Sequence, residues 1–450
     1  MNETIAAIST PPGRGGIGII RICGPDVMRI ATVFFRPKYE KPIKPFNLRY
    51  GFIYDGEALI DEALLCYMKA PRSYTALDTI EINCHGGYAV GQKVLSLAIK
   101  AGARLAQPGE FTKLAFLNGR IDLSQAEAVM DIINAESDFA LASAAKQLTG
   151  SVRDRISRIR SDILDIQARI EVAIDYPEYE DCDRTEIFRK ITDIADKLDK
   201  MAAMADIGRA FTSGVKTAIV GRPNTGKSSL LNALLEQERA IVTDIPGTTR
   251  DVLSERLHIG PLTLNLMDTA GIRQSGDAIE RLGVERAFEC VHESDLILWV
   301  LDSSCELNDD DFKVWDIIQN HTNVIGVLNK SDLPVVLDKT TLTQDYNIPF
   351  LCVSARYFKG LNEVKDHILQ LYSAGGINPG DLITAQRHKQ AAQRAASHLS
   401  KAAKGASSGI PEDLISIDLT ESISALGEIT GESADNDLID RIFSSFCVGK

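Results

Sequence analysis

The chain has 450 residues, of which 44% are hydrophobic and 25% charged, a balance that supports ordinary cores in about two to four domains. Its formal net charge of −13 argues against indiscriminate nucleic-acid binding but leaves room for a local basic face. No apolar run reaches the ~18 residues of a membrane-spanning helix, and the N-terminus lacks a signal-like core, so we expect a cytoplasmic protein without membrane insertion. The eight cysteines form no C-x-x-C pair, and reduced thiols are expected.

Residues 1–118 alternate β-branched runs with turns and then enter the helical pattern GYAVGQKVLSLAIKAG, which predicts an α/β or α+β domain. Within this segment, residues 13–18 read GRGGIG and fit the dinucleotide-binding pattern G-x-G-x-x-G. The residues that follow, IGIIRI, predict a strand instead of the helix that such a site needs. A dinucleotide-binding fold is therefore rejected here.

The hydrophobic period becomes helical from about Ile121 to Phe211, including a long stretch over residues 140–173. Residues 175–183, DYPEYEDCD, contain a proline that ends a helix. A Gly/Pro linker at 373–381 precedes a second helical region of ~70 residues. Because two helical regions flank an α/β unit, we expect one helical domain with that unit inserted. The predicted domains are 1–118, 119–212, 213–375 and 376–450.

The stretch GRPNTGKS, Gly221 to Ser228, fits the phosphate-binding loop G-x-x-x-x-G-K-S/T. Backbone N–H groups of such a loop surround the α- and β-phosphates, Lys227 would reach the β/γ-phosphates, and Ser228 would bind Mg²⁺. A predicted strand at 216–220 precedes the loop. A predicted helix at 228–235 follows, with its N-terminus facing the anion.

The base is expected to be read by Asn329, Lys330 and Asp332, which form N-K-x-D after an apolar run. The Asp332 carboxylate can accept hydrogen bonds from guanine N–H groups, whereas adenine would leave it unpaired at a cost of ~1–3 kcal/mol. The motif Ser354-Ala355-Arg356 follows a strand-like FLCV and would place a backbone N–H near the guanine oxygen.

A further motif, DTAG, follows the strand-like LTLNLM. Asp268 would hold Mg²⁺ directly or through water, and the Gly271 N–H would meet the γ-phosphate. With the phosphate loop, the N-K-x-D motif and the Ser-Ala-Arg motif in this order, the region resembles Ras-like GTPase domains, which implies a doubly wound α/β fold. The expected nucleotide contacts are Asn224, Thr225, Gly226, Lys227, Ser228, Ser229, Thr243, Asp244, Ile245, Pro246, Gly247, Thr248, Thr249, Asp268, Thr269, Ala270, Gly271, Asn329, Lys330, Asp332, Ser354, Ala355 and Arg356.

The hydrolytic site departs from that of a simple switch. Ile272 stands after DTAG, where Ras-like switches have a water-orienting glutamine. The side-chain carbonyl of Asn224 is a candidate ligand for K⁺, although an asparagine that merely tolerates a turn is the alternative. Glu280 is a candidate for orienting the attacking water, the alternative being a solvated helix carboxylate. The predicted metal ligands are Ser228 and Thr249 for Mg²⁺ and Asn224, Thr243 and Ile245 for K⁺, with Thr248 beside them.

A helix-like stretch over 384–404 carries only basic charges, at Arg387, Lys389, Arg394, Lys401 and Lys404. Such a stripe is either a solvated face or a surface that contacts RNA.

Several segments together resemble one family across essentially the whole chain: TPPGRGGIGIIRICG, PGEFTKLAFLNGRIDLSQAEAV, GRPNTGKSSLLNALL, IVTDIPGTTRD, DTAGIR, LGEITGE and the terminal FCVGK. They resemble the MnmE (TrmE) family of tRNA modification GTPases. One departure is Ala76-Leu77, where the family usually has Gly-Glu.

The resemblance implies an N-terminal domain that binds a 5-formyl- or 5,10-methylene-tetrahydrofolate. The matching positions are Arg21, Glu81, Arg120 and Lys450; arginine and lysine suit the carboxylates of the glutamate tail, and Glu81 suits pterin N–H donors. It places Cys447 near the tRNA-modifying chemistry, as a nucleophile or as a structural residue.

The resemblance also implies GTP/GDP, Mg²⁺ and K⁺ as cofactors and a homodimer held by its N-terminal domains, whose GTPase domains meet when K⁺ is bound. With a flavin-containing partner, MnmG (GidA), it implies a heterotetramer or larger complex that modifies tRNA. The reaction adds an aminomethyl or carboxymethylaminomethyl group to carbon 5 of the wobble uridine. The alternative is a GTP-dependent ribosome-assembly or signalling switch, which usually carries an RNA-binding appendage such as a KH domain.

Overall fold

The computed structural model describes residues 3–175, 184–239, 255–267, 291–372, 383–408 and 410–450. The chain divides into two compact units. No helix within the described ranges is long and apolar enough to span a membrane. The first unit comprises Met1–Ile133, Ala145–Leu198 and Ala391–Lys450, and the second comprises Asn134–Ala144 and Asp199–Gln390.

A seven-stranded sheet organises the N-terminal part of the first unit, in the order β3-β4-β5-β6-β2-β1-β7. The pairs are antiparallel except β1 with β7. Because residues 15–23 form strand β2, the rejection of a dinucleotide fold at GRGGIG is confirmed. The strands are β1 Ile5–Ile8, β2 Gly15–Cys23, β3 Phe35–Pro37, β4 Leu48–Asp55, β5 Ala58–Met68, β6 Thr79–Gly86 and β7 Arg104–Leu105.

Helices Val27–Phe34 and Tyr88–Lys100 pack on this sheet and close its core. The alternation that buries every second residue is clear in β6, where Ile80, Ile82 and Cys84 are buried. Ala76 adopts φ 60°, a left-handed conformation that favours glycine. The alanine at this position therefore carries backbone strain of ~1–2 kcal/mol.

Helices make up the rest of the first unit and its connections. The stretch expected to be helical over 140–173 is two helices, because Gly150 interrupts it at φ 96°. The second of them ends at Asp175, just before the predicted proline break, and residues 176–183 lie outside the described ranges. The helices are Glu110–Leu117, Leu123–Asn134, Asp138–Leu148, Ser151–Asp175, Arg184–Ser213, Gln386–Ser408, Glu412–Thr430 and Asn436–Ser444.

The second unit holds a six-stranded sheet in the order β13-β12-β11-β8-β10-β9, parallel except for the β9–β10 pair. Helices Lys227–Arg239, Asp309–Ile318, Lys339–Tyr346 and Leu361–Tyr372 accompany it, as expected for a doubly wound fold. The carboxyl ends of parallel strands meet at one edge, where ligands bind in such folds. The strands are β8 Val215–Val220, β9 Glu255–Ile259, β10 Leu262–Leu266, β11 Leu296–Asp302, β12 Val324–Asn329 and β13 Phe350–Cys352.

Candidate functional site

The predicted phosphate loop joins the end of β8 to the helix that begins at Lys227. Glycine is required at both Gly221 and Gly226, because a neighbouring strand lies too close to each of them for a Cβ atom. A Cβ on Gly221 would lie 2.3 Å from the Val300 carbonyl oxygen, and one on Gly226 would lie 2.3 Å from Asn329 Nδ2. Gly226 also has φ 92°. The loop backbone thus packs directly against neighbouring strands. Its own N–H groups are left to line the concave side of the loop.

Lys227 folds back over the loop. Its ammonium donates to the carbonyl oxygens of Gly221 and Arg222, each at 2.8 Å. Burial lowers the pKa of Lys227. Thr225 is fully buried and donates to the same Arg222 carbonyl at 3.1 Å, whereas Asn224 is exposed at the loop apex with φ 64°. The loop therefore holds its lysine inward and presents the Asn224 carboxamide outward.

Arg222 anchors the loop through its side chain, a role that sequence reasoning missed. Its Nε lies 3.1 Å from Asp311 Oδ2, and its Nη2 donates to Cys305 Sγ at 2.8 Å. Asp311 is only 1% exposed, and burial raises its pKa. It also accepts from the Asn308 N–H in a capping box at the start of helix Asp309–Ile318. The anchor therefore ties the phosphate loop to the segment after β11.

The N-K-x-D motif lies beside the loop. Asn329 is buried; its Nδ2 donates to the Thr225 carbonyl at 2.9 Å, and its Oδ1 accepts from the Ala355 N–H at 3.1 Å. Asp332 accepts a hydrogen bond from the Ser354 hydroxyl. One asparagine thus connects the phosphate loop to the Ser-Ala-Arg motif, and the carboxylate expected to read guanine is fixed by that motif.

Lys330 adopts φ 63° and its ammonium pairs with Asp302 Oδ2 at 2.5 Å, at the end of β11. Burial would raise the pKa of Asp302, but hydrogen bonds from Lys330 and Ser304 outweigh it and lower that pKa. Asp302 is therefore held as a carboxylate that positions the lysine of the motif.

The other predicted groups of the hydrolytic site lie outside the described residues. They are Thr243, Asp244, Ile245, Pro246, Gly247, Thr248, Thr249, Asp268, Thr269, Ala270, Gly271, Ile272 and Glu280.

A second set of predicted residues meets in the first unit. Arg21 on β2 faces Glu81 on β6, with Nε and Nη2 at 2.9 and 2.8 Å from the same carboxylate oxygen. The Arg21 guanidinium lies 5.6 Å from the centroid of the Tyr74 ring and 5.4 Å from that of Phe111. Arg120 lies 5.0 Å from the centroid of the same Tyr74 ring. Two of the four positions matched to a folate site, Arg21 and Arg120, therefore lie over one aromatic ring, and a third, Glu81, pairs with Arg21.

The C-terminal segment reaches the same place. The Gly449 carbonyl accepts from Arg21 Nη1 at 3.2 Å and from the Ser9 hydroxyl at 3.1 Å. The Phe111 N–H donates to the Lys450 carbonyl at 3.1 Å, and the Gly109 N–H donates to the Cys447 carbonyl at 3.3 Å. These bonds bring residues 447–450 against the sheet that carries Arg21, and Cys447 itself is exposed.

The basic stripe on helix Gln386–Ser408 is partly neutralised. Lys389 pairs with Asp206 at 2.6 Å, and Arg394 pairs with Glu428 at 2.5 Å. Lys389 and Arg394 are thus engaged within the protein, which weakens the interpretation of the stripe as an RNA surface.

The fold and the site define a P-loop nucleotide-binding protein that carries an N-K-x-D motif. The family model described as GTP-binding protein TrmE N-terminus matches residues 4–120, and that of the MnmE helical domain matches residues 123–447. The chain belongs to the MnmE (TrmE) family of tRNA modification GTPases, and it is a GTP hydrolase.

Curated relatives cover the whole chain. The tRNA modification GTPase MnmE of Lactococcus lactis subsp. lactis is 46% identical over 453 residues, covering 100% of this chain and 98% of the relative. Those of Thermoanaerobacter pseudethanolicus and Bacillus subtilis are 46% and 43% identical, covering 100% of this chain and 99% and 100% of the relatives.

Solved structures match the chain in part. The G domain of the FeoB iron transporter of T. maritima is 26% identical, covering 35% of this chain and 99% of that chain with a TM-score of 0.26. An Aquifex aeolicus Era structure bound to GDP.AlF4- is 28% identical, covering 41% of this chain and 67% of that chain with a TM-score of 0.28.

Proposed function

We propose that this chain is a K⁺-activated GTPase that works with the flavin-containing MnmG to modify carbon 5 of the wobble uridine of certain tRNAs. A tetrahydrofolate supplies the one-carbon unit, and the added group is aminomethyl or carboxymethylaminomethyl. The observation that supports this best is the convergence of Glu81, the Tyr74 ring and the Gly449 carbonyl on the Arg21 guanidinium. An ordinary nucleotide switch has no use for such a site.

The residues around Tyr74 fit a folate chemically. Glu81 offers a carboxylate to paired pterin N–H donors, and the aromatic rings of Tyr74 and Phe111 offer faces on which a flat ring can pack. Arg120 forms no ion pair with any described residue and is suited to a carboxylate of the glutamate tail. When bound, the folate supplies a transferable one-carbon unit. The chain's own residues hold and orient it, and the docked segment 447–450 limits access of water beside Arg21.

In the nucleotide site, Lys227 neutralises phosphate charge and Ser228 is proposed to bind Mg²⁺ together with Thr249. The apical carboxamide of Asn224 is proposed to bind K⁺, with Thr243 and Ile245 completing the shell. Its exposure and its left-handed backbone, which turns the loop outward at this residue, support that role. A cation at this point would replace an arginine finger, whose contribution to rate is ~10³–10⁵. Glu280 is proposed to orient the attacking water.

The domain assignment and assembly belong to the same proposal. Residues 1–118 form the folate-binding and dimerisation domain, and 213–375 form the GTPase domain inserted between helical parts 119–212 and 376–450. GTP hydrolysis moves the GTPase domains of a homodimer and does not itself modify the uridine. Cys447 is proposed to lie near the modification chemistry, as a nucleophile or as a structural residue.

The test is complementation of a bacterial strain lacking its own gene for this family, with tRNA nucleosides measured by mass spectrometry. We expect the modified wobble uridine to return with this chain and not with its Arg21→Ala variant. A well-expressed chain that restores no modification, and that co-sediments with ribosomal subunits in a GTP-dependent way, would overturn the proposal in favour of a ribosome-assembly switch. GTP hydrolysis rates in KCl and in NaCl at matched ionic strength separately test whether K⁺ activates the enzyme.

A further inference from the structure

The β3–β4 loop, residues 38–47, concentrates positive charge on a chain whose formal net charge is −13. From Arg36 on β3 to Asn47 the sequence reads RPKYEKPIKPFN, in which Glu40 is the one acidic residue. Every residue of the loop is exposed except Ile43. The basic side chains form no ion pair with any residue that the structure describes; they are Arg36, Lys38, Lys41 and Lys44.

The loop is attached to the sheet at three points. Ile43 packs against the core that lies between the sheet and its helices. The Phe46 N–H donates to the Tyr67 carbonyl at 2.8 Å, beside the ladder that joins β4 and β5. The Arg49 guanidinium donates to the Tyr39 carbonyl at 2.8 Å. The exposed side chains of the loop therefore project from a backbone that is fixed to the sheet.

Phe46 occupies a backbone conformation that suits glycine better than a bulky residue. Its φ is 62°, and 52% of its surface is exposed. Tyr39, at the other end of the loop, is 60% exposed. Strained residues of this kind cluster at ligand-binding sites, and an exposed ring that folding does not bury is available to pack against a partner.

The surface of the loop combines aromatic rings with unneutralised cations. The Arg36 guanidinium lies 4.3 Å from the centroid of the Tyr54 ring, whereas the ammonium groups of Lys41 and Lys44 form no hydrogen bond with any described residue. A single-stranded nucleic acid matches both features, because its phosphates neutralise the cations and its unpaired bases stack on exposed rings such as that of Phe46.

The loop also lies close to the proposed folate site. Leu48, the first residue of β4, pairs with Cys66 on β5, and Cys66 pairs with Glu81 on β6. Because neighbouring strands lie ~4.8 Å apart, the backbones of Leu48 and Glu81 are separated by about 10 Å. RNA held by the loop would therefore lie beside the residues proposed to hold the one-carbon carrier.

We propose that the β3–β4 loop binds unpaired nucleotides of the tRNA substrate, with phosphates on Lys41 and Lys44 and a base stacked on Phe46. The inference rests on the proposed function, which makes a tRNA the substrate but assigns it no binding surface. Arg36 and Lys38 add to the positive potential that attracts the RNA strand.

The test measures binding of a labelled, unmodified tRNA transcript with a wobble uridine to the full-length protein, by fluorescence anisotropy over a range of KCl concentrations. We expect Lys41→Gln combined with Lys44→Gln to weaken binding at least tenfold. The same variant should reduce the slope of log affinity against log salt by about 1.4, because each phosphate contact to a single strand contributes ~0.7.

Phe46→Gly tests the stacking contact apart from the charge. It should weaken tRNA binding at least fivefold and leave the salt slope unchanged, because a lost stacking contact releases no counterions. Its midpoint of urea unfolding should stay close to that of wild type, since glycine relieves the left-handed backbone. A loss of affinity with unchanged stability would therefore be a loss of contact and not of fold.

The matched control is Lys401→Gln combined with Lys404→Gln, on the basic stripe of helix Gln386–Ser408, and it should bind tRNA as wild type. The proposal is overturned if the loop variants bind tRNA as wild type, or if the control loses as much affinity as they do. Loop variants that bind tRNA as wild type but lose self-association in sedimentation would make this surface a contact between copies of the chain.

Complementation separates this inference from the proposed function. If the wild-type chain restores the modified uridine and the loop variants bind tRNA and restore the uridine equally well, the RNA surface fails while the proposed function stands. If the wild-type chain restores no modified uridine but binds tRNA in a way that depends on Lys41, Lys44 and Phe46, the proposed function fails and the RNA surface stands.

Discussion

The link between the phosphate loop and the base-reading motifs depends on Asn329, and Asn329→Ala tests it. The substitution removes the donor to the Thr225 carbonyl and the acceptor for the Ala355 N–H, at 2.9 and 3.1 Å. Both partner residues are buried. Each unpaired buried group costs ~1–3 kcal/mol, so the free energy of unfolding should fall by about 2–6 kcal/mol. Because the same bonds hold the loop, GTP affinity should fall at least tenfold, or ~1.4 kcal/mol.

The assays are urea unfolding without nucleotide and equilibrium binding of a fluorescent GTP analogue. A matched control is Asn323→Ala, just before the same strand, where the side chain donates to the Asp295 carbonyl at 3.1 Å away from the loop. The control should lose about 0.5–1.5 kcal/mol of unfolding free energy and keep its GTP affinity. Equal effects of the two variants on both measurements would refute the assigned role of Asn329.

Three further substitutions test the sites and the backbone. Asp332→Asn should shift nucleotide preference from GTP towards xanthine triphosphate, measured by competition binding; unchanged selectivity would contradict its base-reading role. Gly449→Ala should undock the C-terminal segment and lower folate affinity, because the new Cβ would lie 2.3 Å from the Ile8 carbonyl oxygen and the residue has φ 93°. The control is Gly56→Ala, which has φ 64° but no neighbouring atom near its Cβ and so tests backbone strain alone. Ala76→Gly should raise the unfolding free energy by up to ~1 kcal/mol, since it relieves a left-handed alanine; a lower melting temperature would argue against that strain.

Local pattern predicted the elements around the phosphate loop. The strand before Gly221 and the helix after it were both expected, because the phosphate loop is a contiguous motif with strong flanking periodicity. The break at Gly150 was not expected, because an isolated glycine in a helical pattern does not always end a helix.

The Arg222–Asp311 anchor had no local signal. It joins residues 89 positions apart, which only the parallel sheet brings together. Such pairs depend on tertiary packing, which periodicity and motif spacing do not encode.

The hydrogen bond between Ser9 and Gly449 joins positions 440 residues apart. Contacts this distant in sequence form late, since a long loop must close before they contribute. At a synthesis rate of ~5–20 residues per second, the N-terminal sheet waits on the order of tens of seconds for its last segment to be made. During that interval Arg21 and the Tyr74 ring stand open to solvent, so a nascent or truncated chain would present an incomplete ligand site to chaperones and proteases.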